Sequence, residues 1–186
     1  GWLLGDEGSA FWLGRAAART TIRHLATGGE PESTRPPGGG GGGGELAGLV
    51  VGWLVPGGLG ADPVAGLAAA VHARPPLALA ELAPLVGQAA AAGDPVAVAI
   101  VRKAASLLVA TLRTVHDSGP VVLAGSVLTS EGPVRQAVTA LLTGEPGHPV
   151  RTVTTAGDPA GAAAWLAARA LLPAAAAEVA HAAFTV

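Results

Sequence analysis

An α/β fold, mostly helical in this stretch with a few parallel strands, is what the sequence predicts, and three observations predict it. Pro120-Val121-Val122-Leu123-Ala124 is a short continuous apolar run behind a turn, as in a strand buried inside a parallel sheet. Residues 150–154 alternate as a second strand. Each run leads into a helical pattern, 132–142 after the first and 160–172 after the second. Strand, helix, strand, helix is the order of an α/β layer with right-handed crossovers. Two strands make a poor sheet, because sheets average about five or six. The expectation is that 1–186 are part of one domain, with the missing strands ahead of Gly1 or supplied by a partner. Gly1-Trp2-Leu3-Leu4 is neither an initiator methionine nor the charged start of a signal peptide, and so reads as a piece of a longer chain.

The elements before the strands read as helices. Over 9–26, Phe11, Trp12, Ala16, Ile22 and Leu25 recur at helical spacing, while Arg15, Arg19 and Arg23 stand four apart on a solvent-facing side. Gly28-Gly29 end that helix. Residues 30–45 hold Pro31, Pro36, Pro37 and the glycine run 38–44. Polyglycine loses more freedom on ordering than any other sequence, so a surface loop is expected there. Residues 46–55 and 63–72 read as short apolar helices parted by Pro56-Gly57-Gly58, and 77–92 as another, stopped by Gly93. Asp94-Pro95 opens the strongest helix, since Asp accepts from first-turn amides and Pro needs no amide there. It should run to about His116, burying Val98, Val101, Ala105, Leu108 and Leu112. Gly125-Ser126 break the first strand, and Asp158-Pro159 repeats the same helix start.

Composition narrows the function. The 186 residues include 28 glycines and are 50% hydrophobic but only 3% aromatic, so the core is built from small side chains. The absence of cysteine excludes disulfides, thiolate zinc sites and cysteine nucleophiles within the chain. A net charge of −2 and a pI near 6.2 argue against a nucleic-acid surface, which needs clustered basic residues. Mean hydropathy is +0.49, yet no window of about 20 residues is free of charge and helix breakers. The stretch 160–180 comes nearest, and Arg169, Pro173 and Glu178 interrupt it. No membrane span and a cytoplasmic location are therefore expected.

Two segments carry chemical signals. In Gly1-Trp2-Leu3-Leu4-Gly5-Asp6-Glu7-Gly8-Ser9-Ala10-Phe11-Trp12-Leu13-Gly14-Arg15, two carboxylates stand between glycines just ahead of a helix. Glycine lets a backbone approach a ligand closely, and an ionised Asp accepts two hydroxyl hydrogen bonds, as a sugar would donate. The plainer reading is that Asp6 or Ser9 caps the helix. In Val121-Val122-Leu123-Ala124-Gly125-Ser126-Val127-Leu128-Thr129-Ser130, a strand ends in Gly-Ser and leads through a polar turn toward a helix, the place where α/β folds bind nucleotides. An ordinary strand-to-helix turn capped by Thr129 or Ser130 has the same pattern. Other patterns fail. Glu45 follows the glycine run where a phosphate loop needs Lys and Ser or Thr. Val127-Leu128 replace the second glycine of a nucleophile elbow around Ser126. His116-Asp117 reads as a charge at a helix end, and His24, His72, His148 and His181 lack metal-ligand spacing.

Together the two segments resemble the N-acetylglucosamine kinase and BadF-type ATPase family (BadF, BadG, BcrA, BcrD), within the sugar kinase, heat-shock ATPase and actin superfamily. GWLLGDEGSAFWLGR is similar to the family's GDEGS segment and VVLAGSVLTS to its adenosine motif, with 79–105 similar to the helical stretch between them. The resemblance covers most of the chain apart from the glycine loop and the last dozen residues. It implies the C-terminal part of a ribonuclease H-like, actin-like ATPase domain, and ATP-dependent phosphorylation of N-acetylglucosamine or glucosamine at the 6-hydroxyl. On this reading Asp6 binds sugar hydroxyls with Gly1 beside the pocket. Gly125, Ser126 and Thr129 line the adenosine side, with Ala83 as a wall of the purine pocket. Mg2+ is held through the phosphates. The partners implied are an amino sugar and ATP, and a homodimer is allowed.

In the family, the first phosphate loop, the aspartate base and the second phosphate motif lie upstream of the GDEGS segment. No catalytic residue is therefore expected in this stretch, which alone should turn nothing over. Two rivals are a non-catalytic sugar-sensing module and the ATP-driven activator of 2-hydroxyacyl-CoA dehydratases. The second needs cysteine-held iron-sulfur chemistry, and this chain has no cysteine.

Overall fold

Helix α1 (Ala10–Ala26) begins where Ser9 accepts the Trp12 amide on its hydroxyl oxygen at 3.1 Å, satisfying one of the first-turn donors. It buries Phe11, Leu13, Ala17, Ala18 and Leu25 and forms the hub of a helical body. The computed structural model describes residues 5–29, 44–116, 119–144 and 152–184. Against α1 pack α2 (Gly44–Leu54), α3 (Pro63–His72), a 3-10 turn (Pro76–Leu82), α4 (Ala83–Ala91) and α5 (Pro95–Arg113). Leu46, Val50, Leu67, Leu82 and Val86 fill the space between them. Small residues allow close approach: a Cβ on Gly14 would collide with the Leu79 carbonyl of the 3-10 turn.

Asp94 joins two of these helices. Its Oδ1 accepts from the Val96 and Ala97 amides at 2.9 Å, capping α5, and its Oδ2 accepts from the Leu46 amide of α2 at 3.1 Å. The carboxylate is buried, and these charge-assisted bonds offset its desolvation.

Two strands, β1 (Val121–Leu123) and β2 (Val153–Thr155), pair in parallel with Val121 opposite Val153 and Leu123 opposite Thr155. Between them come the single-turn helix α6 (Ser126–Thr129) and α7 (Pro133–Thr143). Val121 and Leu123 share one core with Val134, Val138 and Leu142 of α7. After β2, α8 (Pro159–Ala168) and α9 (Ala174–Phe184) pack on each other, with the Trp165 indole donating to the Ala177 carbonyl at 3.3 Å.

The parallel pair and the helix order match the sequence expectations, with α5 ending at Arg113 and not near His116 and the second strand at Val153–Thr155 and not 150–154, and with five larger differences. The 77–92 helix is two pieces, because Pro84 has no amide to bond back into the preceding turn. The buried stripe of α5 is Ala97, Ile100, Val101, Ala104, Ala105 and Val109, while Val98, Leu108 and Leu112 are half-buried. Two flanking helices, α4 and α7, draw the alanines inward and turn the bulkier residues to the margins. β1 is not buried on both faces: Val122 is 59% exposed, since nothing among the described residues covers that side. The 160–172 helix stops at Ala168 and a further helix, α9, follows. Of the expected loop 30–45, residues 30–43 lie outside the described residues and Gly44-Glu45 already belong to α2.

Candidate functional site

The loop ahead of α1 is a small braced turn. The Ser9 hydroxyl donates to Asp6 Oδ2 at 2.8 Å, and the Ser9 amide donates to the Asp6 carbonyl at 2.9 Å. Ser9 is thus the cap and Asp6 the group that orients it. The half-buried carboxylate leaves Oδ1 with no hydrogen bond among the described residues. Gly8 has φ +84, and a Cβ there would strike the Leu108 side chain of α5. Its glycine requirement comes from the turn and from Leu108, which the residue pattern alone had left open to a ligand. Gly5 has only Glu7 nearby. Gly1 and Trp2 lie outside the described residues.

The second segment also has defined geometry. β1 ends at Leu123, and Gly125 (φ 84, ψ 152) turns the chain into α6. Open space surrounds the position a Gly125 Cβ would take. The Thr129 hydroxyl donates to the Gly125 carbonyl at 3.1 Å and closes the turn, and Ser126 is exposed. Gly125, Ser126 and Thr129 therefore form one cluster. Ala83 stands at the start of α4, half-buried against the core, and α4 packs on α7, the helix that follows the second segment, where Gly87 faces Pro133. No hydrogen bond joins Asp6 to the 125–129 cluster. The two are connected through α5, which touches Gly8 at Leu108 and whose C-terminal end leads toward β1.

Other features do not extend this site. A pocket of about 360 Å³ is lined by Thr20, Thr21, Arg23, His24 and Thr27 of α1 with Leu46, Ala47 and Val96, and contains none of the expected residues. Among the described residues no group of three His, Asp or Glu side chains could hold a metal. Asp117 and His148 lie outside the described residues. α5 is the one described helix long and apolar enough to cross a membrane, but here its apolar stripe is in the core.

What the residue pattern missed was the brace: Ser9 follows Asp6 by three residues, the spacing of a β-turn closed by the Ser9 amide on the Asp6 carbonyl, and that spacing was the available signal.

No family model and no curated protein matches the chain. Among solved structures, the crystal structure of a candidate N-acetylglucosamine kinase from Chromobacterium violaceum is similar, with 28% sequence identity and a TM-score of 0.54. The match covers 74% of this chain and 41% of that one, so the chain spans less than half of that protein's length. Over that part, the helical fold with its small parallel sheet resembles a sugar kinase fold of the BadF ATPase type.

Proposed function

We propose that this chain is the sugar- and ATP-binding portion of an amino-sugar kinase acting on N-acetylglucosamine or glucosamine. The observation that carries the reading is the likeness to the structure of the candidate N-acetylglucosamine kinase. The GDEGS turn supports it, because Asp6 keeps one carboxylate oxygen without a hydrogen-bond partner among the described residues. In the proposed role Asp6 accepts hydrogen bonds from sugar hydroxyls through Oδ1, while the Ser9 hydroxyl holds Oδ2 and fixes the direction of the carboxylate. Gly1 is assigned to the same sugar site by the resemblance alone.

On the nucleotide side, Gly125, Ser126 and Thr129 take the adenosine in this reading. Gly125 offers a bare backbone facing open space, flanked by exposed Ser126, and Thr129 holds that backbone through its hydroxyl. Ala83 supplies an apolar wall. ATP would supply the phosphoryl group, with Mg2+ carried on its phosphates. The catalytic base and phosphate loops would come from polypeptide outside these 186 residues. Phosphoryl transfer depends on positioning and charge stabilisation at the phosphates, so the 186-residue chain alone binds and does not turn over.

Calorimetry on the longest natural polypeptide carrying this sequence tests the assignment. Asp6→Ala should weaken sugar binding at least about 10-fold, the loss of a charge-assisted hydrogen bond, and leave ATP binding unchanged. Ser9→Ala, which removes the cap and releases Oδ2 but keeps the carboxylate, should weaken sugar binding less than Asp6→Ala does. Unchanged sugar affinity in Asp6→Ala would overturn the role of Asp6. ATP-dependent phosphorylation of glucosamine by the 186-residue chain would overturn the division of labour.

A further inference from the structure

The turn that carries Gly125, Ser126 and Thr129 has little with which to hold its own shape. Helix α6 is a single turn of four residues, far below the length of about 12–15 residues at which an isolated helix becomes even marginally stable in water. Its hydrogen bonds converge on one atom. The Gly125 carbonyl accepts from the Leu128 amide at 3.0 Å, the Thr129 amide at 2.9 Å and the Thr129 hydroxyl at 3.1 Å. Val127 and Leu128 are half-buried against the core, and no residue of α6 is fully buried. These contacts close the turn without a directional bond that sets it against the other helices.

One side chain supplies that bond. Arg135, half-buried in the first turn of α7, donates from a guanidinium nitrogen to the Thr129 carbonyl at 3.4 Å. Carbonyls at the end of a helix have no partner within it, and a nearby arginine can take one. Among the described residues this is the one hydrogen bond between α6 and another helix. Arg135 makes no ion pair with a described carboxylate that would draw it elsewhere. The support behind it is firm, because Val134, Val138 and Leu142 anchor α7 in the core that β1 shares, and α7 packs on α4 and α5. The position of α7 is thus passed to α6 through a single guanidinium.

We propose that Arg135 is a positioning residue for the nucleoside turn. By tying the end of α6 to α7 it holds Gly125, Ser126 and Thr129 in one arrangement toward adenosine. It acts through the Thr129 carbonyl and not on the phosphates of ATP. This role rests on the assignment of the 125–129 turn to adenosine in the proposed function.

Saturation-transfer NMR titrations of the 186-residue chain with adenosine and with ATP test it. Arg135→Met keeps an apolar stem and removes the donors, so both ligands should bind more weakly by the same factor, about 3- to 10-fold, the worth of one hydrogen bond. Arg135→Lys keeps a donor and should bind within about 2-fold of the unsubstituted chain. Melting temperatures of both variants should stay within about 3 °C, since no buried side chain is lost. Gly125→Val fills the open space at the turn and should abolish adenosine binding. Unchanged adenosine affinity in Gly125→Val, or no binding by the unsubstituted chain, overturns the adenosine assignment and the proposal with it. Loss in Gly125→Val without loss in Arg135→Met overturns the proposal alone. So does a larger loss for ATP than for adenosine, which makes Arg135 a phosphate contact. An Arg135→Lys variant as weak as Arg135→Met, or a larger fall in melting temperature, also overturns it.

Discussion

Helices α4 and α8 are close in length and both rich in alanine, yet they have opposite fates. α4 buries Val86 and Ala89 almost completely, while α8 buries no residue. α4 lies among α1, α2, α5 and α7, which together take up its apolar side, whereas α8 has its main contact with α9. Leu166, Leu171 and Val179 of this C-terminal pair and its connection are 53%, 87% and 81% exposed. Apolar content therefore does not decide burial by itself. Burial needs a second surface of matching shape, and the helical body built on α1 provides one, whereas among the described residues α8 and α9 pack mainly on each other.

Substitutions can break or sharpen this contrast. The largest effect should come from the body. Leu82→Ala, at a fully buried side chain, should cost about 3–4 kcal/mol by removing apolar contact and leaving a cavity, read from the urea midpoint. Gly14→Ala comes next. Its Cβ meets the Leu79 backbone, which cannot rotate aside, so a loss of about 2–3 kcal/mol is expected, and relaxation of α1 away from the 3-10 turn would appear as increased amide exchange there. Asp94→Ala removes a cap shared by α5 and α2 and should cost about 2 kcal/mol. Asp94→Asn, keeping one acceptor oxygen, should recover part of it. The smallest effect belongs to the C-terminal pair, where Leu171→Ala should change global stability by less than about 0.5 kcal/mol. A loss comparable to Leu82→Ala would show that the pair is coupled to the core after all.

How much was legible in the sequence depended on whether the signal was local. Asp94-Pro95, Asp62-Pro63 and Asp158-Pro159 all start helices, because an Asp carboxylate and a proline ring act within one turn. The first strand was legible as an apolar run bounded by turns and the second as an alternating segment, found at Val153–Thr155, and their parallel pairing followed from the intervening helix. The division of 77–92 was written in Pro84 but outweighed by the helical spacing around it. The stripe of α5 was read one step off, since alanine and leucine are equally apolar and only neighbouring helices select which of them faces inward. At the GDEGS turn, the sequence offered Asp6 and Ser9 as rival caps. The structure divides the work, with Ser9 on the Trp12 amide and Asp6 on Ser9.

By itself, the sequence determined where helices begin, where the chain turns and which runs can be strands, because these depend on dihedral preferences and hydrogen bonds spanning a few residues. Only the tertiary structure decided that Gly8 is small for Leu108, that Gly14 is small for the Leu79 backbone, that one buried Asp94 serves two helices, and that Val122 is bare. Each of these is a contact, or a missing contact, between residues far apart in the chain. Such contacts are set by how whole elements pack against one another, which no local spacing encodes.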